Sequence, residues 1–144
     1  MKISENCYKL ENTANPISPN VFCADPTGVE YNGRLYIYGT NDHQQYEAVG
    51  DDGKNDYVHI KSIVMLSTDD MVNWEYHGFI DIEKIAPWIV NSWAPSVASR
   101  VEADGKTHFY LYFSNSGCGV GVLTAEHPLG PWSVPLGKPL IYQN

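Results

Sequence analysis

Thr27-Gly28-Val29-Glu30-Tyr31-Asn32-Gly33-Arg34-Leu35-Tyr36-Ile37-Tyr38-Gly39-Thr40 reads as a β-hairpin. Asn32-Gly33 supplies the two positive-φ positions that a type I′ turn demands, and β-prone residues flank it. Leu35-Tyr36-Ile37-Tyr38 is apolar or aromatic at every position, as in a strand covered on both faces. A second unit repeats the pattern: Ser96–Val101, a turn at Ala103-Asp104-Gly105, then Thr107–Ser114 with Phe109-Tyr110-Leu111-Tyr112-Phe113. Further strands are predicted at Val58–Ser67, Glu75–Ile80 and Val120–Thr124. The best helical signal, Ile82–Ala86, is a single turn stopped by Pro87. The chain is predicted to be all-β.

The two units form an internal repeat. Leu35–Thr40 echoes Phe109–Ser114, and Met65–Asp70 with Trp74 echoes Val122–Glu126 with Trp132. A proline opens each copy, at Pro26 and Pro95. Four strands per copy describe a propeller blade, the first over about residues 15–80 and the second over about 91–136. Propellers usually close with about four to eight blades, and two alone leave a bare sheet face and unpaired edges. The expectation is therefore a partial propeller: either a piece of a longer chain or a unit that self-associates through its open blade edges.

Composition narrows the function. Of 144 residues, 43% are hydrophobic and 18% charged, which suits a folded domain with a core. The net charge of −8 gives no basic footprint for nucleic acid. No apolar run approaches the roughly 20 residues of a membrane span, and Met1–Leu10 lacks the apolar core of a secretory signal. Cys7, Cys23 and Cys118 form no CxxC pair and read as free, packed thiols. Ten Tyr, four Trp and four Phe beside a carboxylate excess suit neutral sugars, whose hydroxyls need acceptors and whose C–H faces stack on rings. They suit a β-rich core equally.

Several motifs carry candidate chemistry. Asp25, in Ala24-Asp25-Pro26, opens the innermost strand of the first blade, where a carboxylate facing the channel could take a proton from water; the alternative is a turn-forming Asp-Pro. Trp93, in Trp93-Ala94-Pro95, either offers a ring to a sugar or packs between blades. Asn41, Asp42 and His43 follow the hairpin, where they either bind hydroxyls at a pocket mouth or form a solvated loop. His59 and His108 read as packed or cross-strand partners, and Ser67–Trp74 as a structural turn. Asp51–Asp56 lacks the spacing of a calcium loop and reads as a polar hairpin tip. Gly117-x-Gly119-x-Gly121 has the wrong spacing for a dinucleotide fingerprint, and Cys118 within it has no base partner nearby in the sequence. No metal and no cofactor are expected.

Taken in order, Asn15-Pro16-Ile17, Ala24-Asp25-Pro26, Gly33–Tyr38, Ser67–Trp74 and Trp93-Ala94-Pro95 resemble the first two blades of a glycoside hydrolase family 43 enzyme. The resemblance runs from about Asn15 to Leu136. It implies a five-bladed propeller and β-xylosidase, α-L-arabinofuranosidase or arabinanase activity on xylo- or arabino-oligosaccharides. It further implies that Asp25 is the general base of a single-displacement, inverting hydrolysis and that Trp93 lines the sugar pocket. The family's general-acid Glu and pKa-modulating Asp come from later blades, so this chain is expected to hold half of the apparatus. Ser96 departs from the Asp that many relatives carry after Trp-Ala-Pro. The alternatives are a non-catalytic propeller fragment that binds carbohydrate or a protein, and a scaffold with no sugar affinity.

Overall fold

Asn32 and Gly33 adopt φ values of 53° and 79°, and the hairpin closes at the predicted turn. The backbone N–H of Gly33 donates to Glu30 Oε1 at 2.6 Å, which ties the turn to its own strand. The computed structural model describes residues 17–142 except Pro19 and Asp52; Cys7, Asn15 and Pro16 lie outside the described residues.

The first sheet holds β1 (Ala24–Tyr31), β2 (Arg34–Thr40), β3 (Ser62–Thr68) and β4 (Glu75–Asp81) in sequential order, all antiparallel. The second holds β5 (Trp93–Val101), β6 (Thr107–Ser114) and β7 (Val120–Ala125), again in sequence. A fourth strand was expected in this second blade. Among the described residues its place is taken by two isolated bridges on β7, Thr124 to Ser133 and Val120 to Ile141. Pro135 and Pro139 lie between those bridges, and each removes a ladder donor.

Two other boundaries differ from the sequence reading. The strand predicted from Val58 begins at Ser62. The carbonyls of Tyr57, Val58 and Ile60 instead accept from the Asn91 carboxamide at 3.3, 2.9 and 3.3 Å, so that stretch is pinned across to the second blade. A helix, α1 (His43–Val49), follows β2 where a loop was one of the two readings. The single turn at Ile82 is present as α2 (Ile82–Ile85), with Asp81 accepting from the backbone N–H of Lys84.

The core lies between the two sheets. Tyr36 and Tyr38 of β2, with Ile63 and Met65 of β3, pack toward Phe109, Leu111 and Phe113 of β6 and Leu123 of β7. Tyr38 meets Trp132 edge-on at 5.8 Å, and its hydroxyl donates to the Pro128 carbonyl at 2.7 Å. The alternation on β6 is clean: Phe109, Leu111 and Phe113 are buried while Tyr110 and Tyr112 are half-buried. β3 is buried at every position, as an interior strand with both faces covered should be. Joining the blades brings β1 and β5 side by side, and the candidate residues sit where those strands begin.

Candidate active site

β1 and β5 enter their sheets by the same device. Ala24 pairs with Thr40 and Thr27 with Tyr38, so Asp25 and Pro26 together oppose one residue, Gly39. Trp93 pairs with Ser114 and Ser96 with Tyr112, so Ala94 and Pro95 together oppose Phe113. Both are β-bulges, which bend a strand and re-aim a side chain. The first residue of each bulge is left-handed: φ is 47° at Asp25 and 43° at Ala94. A non-glycine residue is uncommon there, and such outliers gather at functional sites.

Two hydroxyls lock the bulges together across the blade boundary. Thr40, which is buried, accepts from the Ala94 N–H at 2.9 Å, and Thr27 accepts from the Val97 N–H at 3.2 Å. The result is a cavity of about 290 Å³ lined by Asp25, Thr40, Asp42, Tyr57, Ile60, Trp93, Ala94 and Ser114. Three residues singled out in the sequence, Asp25, Asp42 and Trp93, therefore meet in one place. Burial raises the pKa of Asp42, and the negative charge of Asp25 raises it further. Trp93 is half-buried and directs its indole N–H to the Tyr57 carbonyl at 3.1 Å.

Asn41 and His43 stand elsewhere. Asn41 is buried and its carboxamide donates to Ser62 Oγ at 2.9 Å, which secures the crossing from β2 to β3. His43 lies in α1, 3.4 Å from Glu47 Oε1 and near the Phe22 ring. Both line a neighbouring cavity of about 280 Å³ with Phe22, Glu47, Tyr76 and Phe79.

The chain matches the family described as glycosyl hydrolases family 43 over residues 13–143. It belongs to glycoside hydrolase family 43. It is 42% identical over 137 residues to an arabinoxylan arabinofuranohydrolase of Bacillus subtilis (strain 168), covering 89% of this chain and 26% of that protein. To an arabinoxylan arabinofuranohydrolase of Paenibacillus polymyxa it is 41% identical over 142 residues, with 92% and 22% covered. The chain thus spans about a quarter of the length of these curated relatives. The fold superposes with a TM-score of 0.79 at 41% identity on a family 43 arabinoxylan arabinofuranohydrolase from Bacillus subtilis, crystallised with cellotetraose; 89% of this chain and 28% of that one are covered. With an α-L-arabinofuranosidase from Clostridium thermocellum the TM-score is 0.65 at 39% identity, covering 87% and 38%.

Three residues of the cavity region carry no signal of their own in the sequence of this family 43 chain. Thr40 and Tyr57 line the cavity, and Asn91 holds Tyr57 from behind. A single threonine or asparagine carries no chemical signature, and its part here depends on which carbonyl or N–H the fold brings beside it. The remaining motifs are structural. Asp70 accepts from the N–H groups of Val72 and Asn73 at 2.8 and 2.7 Å, closing the turn before β4. His108 pairs with Asp104 at 2.9 Å at the hairpin end of β6, and His59 is exposed. Cys23 and Cys118 are free, and burial pushes the Cys23 thiol up to about 11. Among the described residues no cluster of metal-ligating side chains occurs.

Proposed function

We propose that this chain carries the general-base half of an inverting glycosidase that removes arabinofuranosyl groups from xylan. The observation that supports the reading is the meeting of Asp25, Asp42 and Trp93 in one cavity at the head of the two inner strands. The cavity volume, about 290 Å³, falls just below the roughly 300–1,000 Å³ usual for small-ligand sites. The arabinofuranosyl group is preferred over xylosyl because the two relatives above 40% identity are both named arabinoxylan arabinofuranohydrolases.

In this mechanism Asp25 takes a proton from a water held against the anomeric carbon. The water attacks as the bond to xylan breaks, and the configuration inverts. A carboxylic acid on the opposite face, supplied from outside these 144 residues, protonates the leaving oxygen. An inverting pair of this kind stands about 6.5–9.5 Å apart, leaving room for the water. Asp42 accepts hydrogen bonds from the sugar hydroxyls, and Trp93 presents its indole to the ring. Asn41 acts one layer back, its carboxamide on Ser62 Oγ securing the chain next to Asp42, and His43 stands beside it on α1.

The test is Asp25→Asn in the full-length protein, assayed on arabinoxylan with the anomer of the released sugar followed by NMR. Loss of general-base catalysis should lower kcat about 10²–10⁴-fold, and the unmutated protein should release the inverted sugar. Near-normal turnover in Asp25→Asn, or a retained anomer, would overturn the assignment. Sugar binding with no hydrolysis by the unmutated protein would make the chain part of a binding module instead.

A further inference from the structure

Tyr57 combines features that its neighbours do not share. Its backbone is left-handed, with φ of 62°, an outlier for a bulky side chain. Its carbonyl accepts from two side chains of the second blade, Trp93 Nε1 at 3.1 Å and Asn91 Nδ2 at 3.3 Å. Asn91 is itself buried, with a further hold on the Val58 and Ile60 carbonyls. Yet Tyr57 is 48% exposed, while Thr40 and Ile60, which line the same cavity, are buried. These two blades therefore fix the backbone of this residue and leave its aromatic side chain uncovered beside the Asp25 cavity.

An exposed aromatic on a clamped backbone is pre-organised for a ligand, because little freedom remains to be lost on binding. A tyrosine offers both a ring face and a hydroxyl, which matches the apolar face and hydroxyl edge of a sugar. Among the residues that line this cavity Tyr57 is the exposed aromatic, so a second sugar unit attached to the first meets its side chain on the way out. We propose that Tyr57 is the platform for the sugar unit on the leaving-group side, and that the indole N–H of Trp93 is what positions it. On this assignment Trp93 serves the site twice, by its ring in the cavity and by its N–H on Tyr57. The proposal rests on Asp25 being the base of this cavity, as argued above.

The experiment compares two substrates in the full-length protein. One is an arabinoxylo-oligosaccharide, whose xylosyl unit reaches the rim. The other is arabinofuranosyl fluoride, whose leaving group is too small to do so. Tyr57→Ala should lower kcat/KM on the oligosaccharide by about tenfold or more, chiefly through KM, and lower it several-fold less on the fluoride. Tyr57→Phe, which keeps the ring, should recover most of the loss. Equal losses on both substrates would mean that Tyr57 only supports the fold, and no loss on either would mean that its ring touches no sugar; each result overturns the proposal while Asp25 stands. Should the unmutated protein cleave neither substrate, the reading of the cavity falls and this assignment falls with it.

Discussion

Gly121→Ala is the sharpest probe of how the second blade is packed. Gly121 of β7 pairs with Phe113 of β6, and a Cβ added there would stand 2.6 Å from both Cε atoms of that ring and nearer still to Cζ. Ordinary contact begins at 3.4 Å, so the ring must retreat by about 0.8 Å or more, the difference between the two. It has nowhere to go. Phe113 is 1% exposed, and Trp88 stacks on it at 6.3 Å with 17° between the planes. Gly121 is not in the left-handed region, so the penalty is steric alone. Overpacking of this kind costs about 1–3 kcal/mol, and the upper half of that range is expected for a ring this buried and already stacked on Trp88. The assay is urea unfolding of the full-length protein, followed by tryptophan fluorescence, for Gly121→Ala, Phe113→Leu and the double variant. Shortening Phe113 removes the atoms that clash, so Gly121→Ala should cost less than about 0.5 kcal/mol in that background. A stability for Gly121→Ala equal to the parent, or the same loss in both backgrounds, would refute the steric account.

Two predictions concern charge. Asp42 has a raised pKa, so its ionisation opposes folding once the pH exceeds its unfolded value of about 3.9. Asp42→Asn should therefore raise Tm at pH 7, with the gain vanishing below about pH 4; it removes no capping bond, since the Asp42 side chain makes none to α1. Asp70 is the opposite case, held well below the usual carboxylate range by the N–H groups of Asn73 and Val72 and by the Asn73 side chain. Its contribution is full above about pH 5 and fades as the pH drops through its depressed value, so the Tm deficit of Asp70→Ala should shrink in acid. A deficit independent of pH would show that the turn gains nothing from that charge.

The strands were legible because their determinants are local. Asn32-Gly33 dictates its own turn, and Phe109–Phe113 has no competing helical period. Helix α1 was not, because it has no apolar face to announce it. Its one buried residue is Gln45, which is fixed by polar bonds: its amide donates to Asp56 at 3.0 Å and its oxygen accepts from the His59 N–H at 3.0 Å. The carboxylate and the tryptophan of the cavity could be named in advance because each carries its own chemistry. Tyr57 and Thr40 could not, since what matters in Tyr57 is where its carbonyl is clamped, and in Thr40 a hydroxyl that reaches the other blade. In the Gly117-x-Gly119-x-Gly121 run, whose spacing is wrong for a dinucleotide fingerprint, Gly119 and Gly121 are packing requirements, at the Ile141 backbone and at Phe113, while Gly117 stands in open space.

The repeat itself bears on what a loss of activity in Asp25→Asn would mean. A left-handed residue holding the carboxylate proposed as the base invites the view that the strain exists for the chemistry. Ala94 argues otherwise, because it occupies the equivalent bulge of the second blade with φ within a few degrees of Asp25 and has no charge to position. The bulge is how an inner strand enters each blade, and the carboxylate is an addition to one copy of it. Asparagine tolerates the left-handed region at least as well as aspartate, and among the described residues no hydrogen bond of the bulge depends on the Asp25 side chain: the blades are locked by Thr40 and Thr27. Asp25→Asn should therefore melt with the parent while turning over orders of magnitude more slowly. If its Tm fell along with its activity, the bulge would depend on the carboxylate after all, and Ala94 would be the wrong guide to Asp25.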